Sequence, residues 1–272
     1  PASADLASHS CLVSRGFFSL MAVFTSRTSL WKLTSLSCGS IASSSSDVGS
    51  AAPSGLAMVG DQLHIADTFA YRVMDTGSGD IREVGRMWAS HLEYPLNAWA
   101  DEHVVVLTSW ATGTVQVFDR ASGEMTHGFH DFQAPHDAVQ LADGSLLVAE
   151  LATGRLLRVS GEQGEQREAV VVALAGPAGM AFNADRSTLF VTTAGGSVWA
   201  VNPADWSKRR VRDGLVMPEG ISVSAAGKLL VMEEDDDQSP SFKMSRDMDS
   251  AGCFPEPARK HENASTLVFV QP

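Results

Sequence analysis

No window of this 272-residue sequence sustains the ~3.6-residue apolar period of an amphipathic helix, so an all-α fold is excluded. Long apolar runs are missing too. The longest strongly apolar N-terminal stretch, Phe17-Phe18-Ser19-Leu20-Met21-Ala22-Val23-Phe24, has eight residues, against the ~20 that a helix needs to span a bilayer. No membrane span is expected, and the stretch reads as a strand. Cysteine is scarce: Cys11, Cys38 and Cys253 are widely spaced and form no C-x-x-C pair, which argues against a zinc knuckle or redox pair. Basic residues are few. Lys and Arg total 20 against 32 Asp and Glu, a net charge of −12. Such a chain repels nucleic acid and anionic membrane surfaces, so neither is expected as a partner. The one dense basic cluster, Lys208-Arg209-Arg210 with Arg212, reads as a solvated strand end. No Gly-x-Ser-x-Gly elbow, P-loop or dinucleotide fingerprint occurs. Aromatics make up only 7%.

Glycine, by contrast, is plentiful at 23 residues, and it falls in a repeat. Pro53, Pro95, Pro135, Pro177 and Pro218 stand 42, 40, 42 and 41 residues apart. The clearest unit runs from Ala134 to Glu150. Pro135 and a polar residue open it, an apolar strand follows, Asp143-Gly144 makes a tight turn, and Ser145-Leu146-Leu147-Val148-Ala149 ends on Glu150. Pro53-Ser54-Gly55, Pro177-Ala178-Gly179 and Pro218-Glu219-Gly220 open comparable units. Third strands such as Gly113–Phe118 and Gly196–Val201 follow, then fourth strands such as Ile81–Val84 and Glu168–Val172.

Four strands per ~40 residues is the signature of a propeller blade. The repeat predicts an all-β chain, a six-bladed β-propeller with four antiparallel strands per blade, forming one domain over 1–272. Blades are expected at about 9–52, 53–94, 95–134, 135–176, 177–217 and 218–272. In the first, Cys11-Leu12-Val13, Leu20–Thr25, Ser29–Thr34 and Gly39–Ser43 match the four strands, and His9 falls where later units have the residue after Pro. In the last, Ser241–Met244 and Thr266–Val270 flank a polar insertion at 247–264, and residues 1–8 are placed on that blade's edge, closing the ring.

The P-x-G opening, D-G turn and L-x-V-A-D/E ending resemble the senescence-marker-protein/gluconolactonase family and the NHL-repeat propellers. The first of these resemblances implies a divalent cation in the central channel, held by Glu, Asn and Asp at first-strand ends. In this chain the corresponding slot holds His9, Ser54, Leu96, His136, Ala178 and Glu219. No Asn occupies it, Leu96 and Ala178 have no ligand atom, and Asn97 and Asp137 sit one place later. Pro135-His136-Asp137 also resembles the Pro-His-Gly motif of streptogramin-type lyases, which implies a metal-assisted elimination.

Because first strands converge on one channel, His136, Glu219 and His9 are candidate ligands for one divalent metal ion, Zn²⁺ or Ca²⁺. Such an ion would lower the pKa of bound water and polarise an ester or lactone carbonyl. Asp137 or Glu219 is then the candidate general base. The plainer alternative is a scaffold: His136 held by a backbone carbonyl, and Asp137 capping a turn. Asp67, Glu150 and Glu233, which end second strands, read as acids that fix the next turn. Trp88, Trp99, Trp110 and Trp199 read as inter-blade packing. Two functional classes follow: a binding or scaffold propeller recognising a small molecule or protein at the channel face, and a metal-dependent lactonase, esterase or lyase.

Overall fold

The computed structural model describes residues 9–12, 53–234 and 265–270, and every regular element among them is a strand. β1 (His9–Leu12) precedes a sheet of β2 (Pro53–Val59), β3 (Gln62–Asp67), β4 (Ala70–Asp75) and β5 (Ile81–Arg86). Three further sheets follow in sequence. They are β6 (Asn97–Ala100), β7 (Val104–Ser109), β8 (Thr114–Asp119) and β9 (Met125–Phe129); β10 (Pro135–Gln140), β11 (Leu146–Glu150), β12 (Arg155–Ser160) and β13 (Gln166–Val171); and β14 (Pro177–Phe182), β15 (Leu189–Thr193), β16 (Ser197–Val201) and β17 (Lys208–Arg212). β18 (Pro218–Val223), β19 (Leu229–Glu234) and β20 (Ser265–Val270) form the last.

Each sheet is an antiparallel meander, and the first strands β2, β6, β10, β14 and β18 lie side by side in chain order. This is a β-propeller arrangement. Among the described residues it comprises four complete four-stranded blades and one three-stranded sheet, not six blades. The expected strands at 20–25, 29–34, 39–43 and 241–244, and the closing segment 1–8, lie outside the described residues. One placement differs from the repeat reading. β20 pairs directly with β19 and so takes the third position of its sheet rather than the fourth. β1 pairs antiparallel with the inner edge of β2 and also lies beside β18. A free first-strand edge is a row of unpaired amides and carbonyls, which a strand of either blade can satisfy.

Burial falls from the axis outward. The β10, β11 and β14 strands are buried at almost every position, whereas β9 reads exposed at four of its five residues. Inner strands are covered on both faces by neighbouring blades and so are continuously apolar. Outer strands are edges and carry Arg, Glu, Gln and Lys, which blunt them against pairing with other chains. The core therefore lies between blades. Trp99, Val106 and Val117 of one blade pack with Leu147 and Leu156 of the next and with Met180 and Leu189 of the one after. Each such fully buried aliphatic side chain contributes on the order of 2 kcal/mol. Trp99 fits the expected packing role, but Trp88 is 86% and Trp110 43% exposed.

The two ends of the strands are built differently. At the end holding the first-to-second and third-to-fourth strand turns, carboxylates clamp backbone amides. Asp75 accepts from Gly77 and Ser78 (2.9 and 2.8 Å), Asp119 from Ser122 (2.7 Å) and Asp185 from Ser187 (3.0 Å). These bonds favour the ionised form and hold each carboxyl below its ordinary value. At the opposite end, longer connections lead into each Pro.

At that opposite end the P-x-G glycines meet the next blade. A Cβ on Gly55 would strike the backbone of Leu96, Asn97 and Ala98, and one on Gly179 would strike the Glu219 carbonyl oxygen. The motif's glycine thus marks where adjacent first strands come closest. Gly179→Ala should destabilise the protein by about 1–3 kcal/mol through this collision, measured as a lowered midpoint in urea unfolding.

Candidate functional site at the channel face

The first strands place Ser54, Leu96, His136, Ala178 and Glu219 at one end of the channel. In β2, β10, β14 and β18 the pairing register shifts just after the Pro, so the slot residue bulges from its own ladder. Its carbonyl is then served by the preceding blade. Ser54 Oγ donates to the Leu96 carbonyl (2.6 Å), Thr108 Oγ1 to that of His136 (3.0 Å), and Thr192 Oγ1 to that of Glu219 (2.6 Å). The His136 ring bonds the Ala178 backbone in a way that favours the protonated imidazole, as an accepting carbonyl does. Each described junction between blades is therefore tied at the slot.

His136 is 7% exposed, and burial pulls its pKa down to about 4, so the ring is neutral at physiological pH. Donation to Ala178 leaves Nδ1, which is buried and has no hydrogen-bond partner, as a bare lone pair. Asp137 is 1% exposed. One of its oxygens accepts from the Ala138 amide (2.8 Å), the other from the Met180 amide of the next blade (2.7 Å). Burial, the larger influence, pushes its pKa up to about 8 against these two bonds. The Asp137 side chain is thus turned into the blade interface.

Glu219 is half-buried. His9 stands opposite Met58 in the β1–β2 pairing, whereas Leu12 stands opposite Gly55. Its backbone is therefore some four residues, about 13 Å, along β2 from the level of Ser54. Among the described residues no three His, Cys, Asp or Glu side chains come together to hold a metal ion. The His136 lone pair has ligand chemistry, but the slots on either side of it hold the Leu96 isobutyl and the Ala178 methyl, and Ser54 Oγ in the slot beyond Leu96 is already bonded to the Leu96 carbonyl. This donor set does not fit the all-oxygen cation site that the gluconolactonase resemblance implies. β1 also lies beside β6, β14 and β18, first strands on different sides of the ring, and so stands in the channel they surround.

The acids that end second strands hold the incoming connection as well as the following turn. Glu150 accepts from the Gln133 amide (3.0 Å), from Thr153 Oγ1 (2.8 Å) and from Arg155 Nε (2.6 Å). Glu233 accepts from the Val216 amide (2.5 Å), and Asp67 pairs with buried Arg72 (3.3 Å). Sequence reasoning passed over Thr108 and Thr192, although both are the penultimate residue of the second strand of a blade.

These environments set the pH dependence. His64, buried against Tyr71 Oη (2.7 Å), is pulled down to about 4 like His136. Two histidines with lowered values lose stability as pH falls from about 6.5 to 4, and the turn aspartates lose theirs below that. Asp137, with a raised value, loses stability as pH rises from its ordinary value toward about 8. Below about 6.5 the two histidines outweigh it, so thermal stability should peak near pH 6.5. Asp137→Asn should flatten the decline between neutral and alkaline pH in thermal melts. In urea, Thr192→Val should cost about 2 kcal/mol and Thr108→Val about 1, because Thr192 also accepts from the Gly179 amide (2.8 Å).

No family model and no curated protein matches this chain. Solved structures do. Virginiamycin B lyase from Staphylococcus aureus matches with a TM-score of 0.51 at 13% identity, over 64% of this chain and 61% of that one. A catalytically inactive form of the S. aureus enzyme with quinupristin matches at 0.54 and 14%, over 67% and 64%. A gluconolactonase from Xanthomonas campestris matches at 0.50 and 17%, over 63% and 66%. The chain thus spans less than two thirds of the lyase structures it matches, and at these identities the likeness is one of fold, a β-propeller.

Proposed function

We propose that this chain is a binding or scaffold propeller whose channel has lost the family's cation site, and that it recognises a protein or small molecule at the channel face. The repeat phase of the prolines supports reading the ring as one six-bladed domain. The observation that carries the functional reading is where the slot's polar groups are used. The His136 ring goes to Ala178, Ser54 Oγ to Leu96, and both Asp137 oxygens to backbone amides. A general base needs a lone pair within reach of substrate, and Asp137 has committed its own to the blade interface. β1 in the channel further reduces the room for a substrate.

The second reading is a metal-dependent lactonase, esterase or lyase acting in the channel, with His136, Glu219 and His9 as ligands to Zn²⁺ or Ca²⁺ and Asp137 or Glu219 as base. The unpartnered Nδ1 of His136 is the observation in its favour. Metal analysis of freshly purified protein separates the two. The binding reading expects no stoichiometric metal, and expects His136→Ala to change neither metal content nor lactone turnover. Stoichiometric metal together with turnover, both lost in His136→Ala, overturns it.

A further inference from the structure

Each of the four complete blades brings two side chains toward the slot carbonyl of the blade that follows. One is the residue in its own slot. The other lies on the second strand, level with the position after the slot: Ala66 opposite Gly55, Thr108 opposite Asn97, Ala149 opposite Asp137, and Thr192 with its Oγ1 on the Gly179 amide (2.8 Å). A Cβ on Gly55 or Gly179 would strike the next first strand, so a short side chain level with them reaches that strand. The second-strand position is closed to solvent, with Ala66, Ala149 and Thr192 at 0% and Thr108 at 1% exposed.

The pairs are Ser54 with Ala66, Leu96 with Thr108, His136 with Ala149 and Ala178 with Thr192. In each pair one side chain alone has a hydrogen to donate, and it is the one that makes the bond. Ser54 Oγ reaches the Leu96 carbonyl (2.6 Å) and the His136 ring the Ala178 backbone, both from slots whose second-strand residue is alanine. Thr108 Oγ1 reaches the His136 carbonyl (3.0 Å) and Thr192 Oγ1 that of Glu219 (2.6 Å), both beside apolar slots. A second donor would be a polar group buried in a junction whose carbonyl is already served. We infer that the slot and the second strand are alternative mounts for one latch, so that Ser54 and His136 stand in for the threonine of the other blades. The imidazole keeps this duty whether the channel binds a partner or holds a metal ion, because the nitrogen that bonds Ala178 is not Nδ1, which has no partner.

The test moves the latch within a blade and follows urea unfolding of the full chain. Ser54→Ala should raise the unfolding equilibrium constant about fivefold, as loss of one buried hydrogen bond does. Ala66→Thr should lower the urea midpoint or leave it unchanged in wild type, where the carbonyl is served, and raise it in Ser54→Ala, where it is not. Ala66→Ser is run alongside, since threonine also adds a methyl to a closed site. Equal shifts in both backgrounds, for both Ala66 variants, overturn the inference, because independent sites add and alternative mounts do not. If neither Ala66 variant folds, the reverse exchange decides by the same criterion. There Ala178→Ser should raise the midpoint of Thr192→Ala more than that of wild type. Urea unfolding reads the junction without any channel ligand, so either outcome leaves the binding reading where it stands.

Discussion

The structure depends on how closely adjacent first strands approach. At Gly55 and Gly179 the next blade's backbone occupies the place of a Cβ. That proximity removes side chains from the junction and leaves backbone groups facing one another in a dry setting. An unpaired buried carbonyl there would cost about 1–3 kcal/mol. The slot carbonyls of Leu96, His136 and Glu219 each meet a hydroxyl of the preceding blade, and the Ala178 backbone meets that blade's imidazole. The interface between blades is therefore apolar along its length and tied by a polar bond at one end.

This constraint reaches directly into function. The slot residues that converge on a propeller's channel are also the residues that hold its blades together. A chain that spends a histidine, a serine and an aspartate on those ties has fewer groups to offer a ligand. The neutral His136 ring and the raised Asp137 carboxyl look like tuned catalytic groups by their shifted pKa values alone. The cause of both shifts is burial: each group lies in a junction between blades, where charge is disfavoured, and its hydrogen bonds pull the other way.

The two ends of the ring divide the remaining work. One is closed by short, polar turns whose aspartates clamp amides. The other carries the longer connections, with Trp88, Trp110, Val216 and Met217 exposed and with backbone held at positive φ at Trp88, Tyr94, Ala134 and Met217. Exposed apolar side chains gathered at one end mark an interaction surface more often than a defect.

Much of this was legible in the sequence. The proline spacing, the alternating strands and the Asp-Gly turns placed four blades and the fifth sheet's first two strands, because strand period and turn chemistry are set by residues a few places apart. The slot positions followed from the same repeat. What the tertiary structure decided was each slot group's partner. His136 meets Ala178 and Asp137 meets Met180, pairs some 40 residues apart in the chain, brought together only when one blade packs against the next. The exposure of Trp88 and Trp110, the pairing of His9–Leu12 with β2 and the direct pairing of β20 with β19 are of the same kind. Local pattern fixes which residues form a strand and which face the core. It does not fix which edge a strand joins or what meets a side chain across a junction, since those depend on approach between segments distant in sequence.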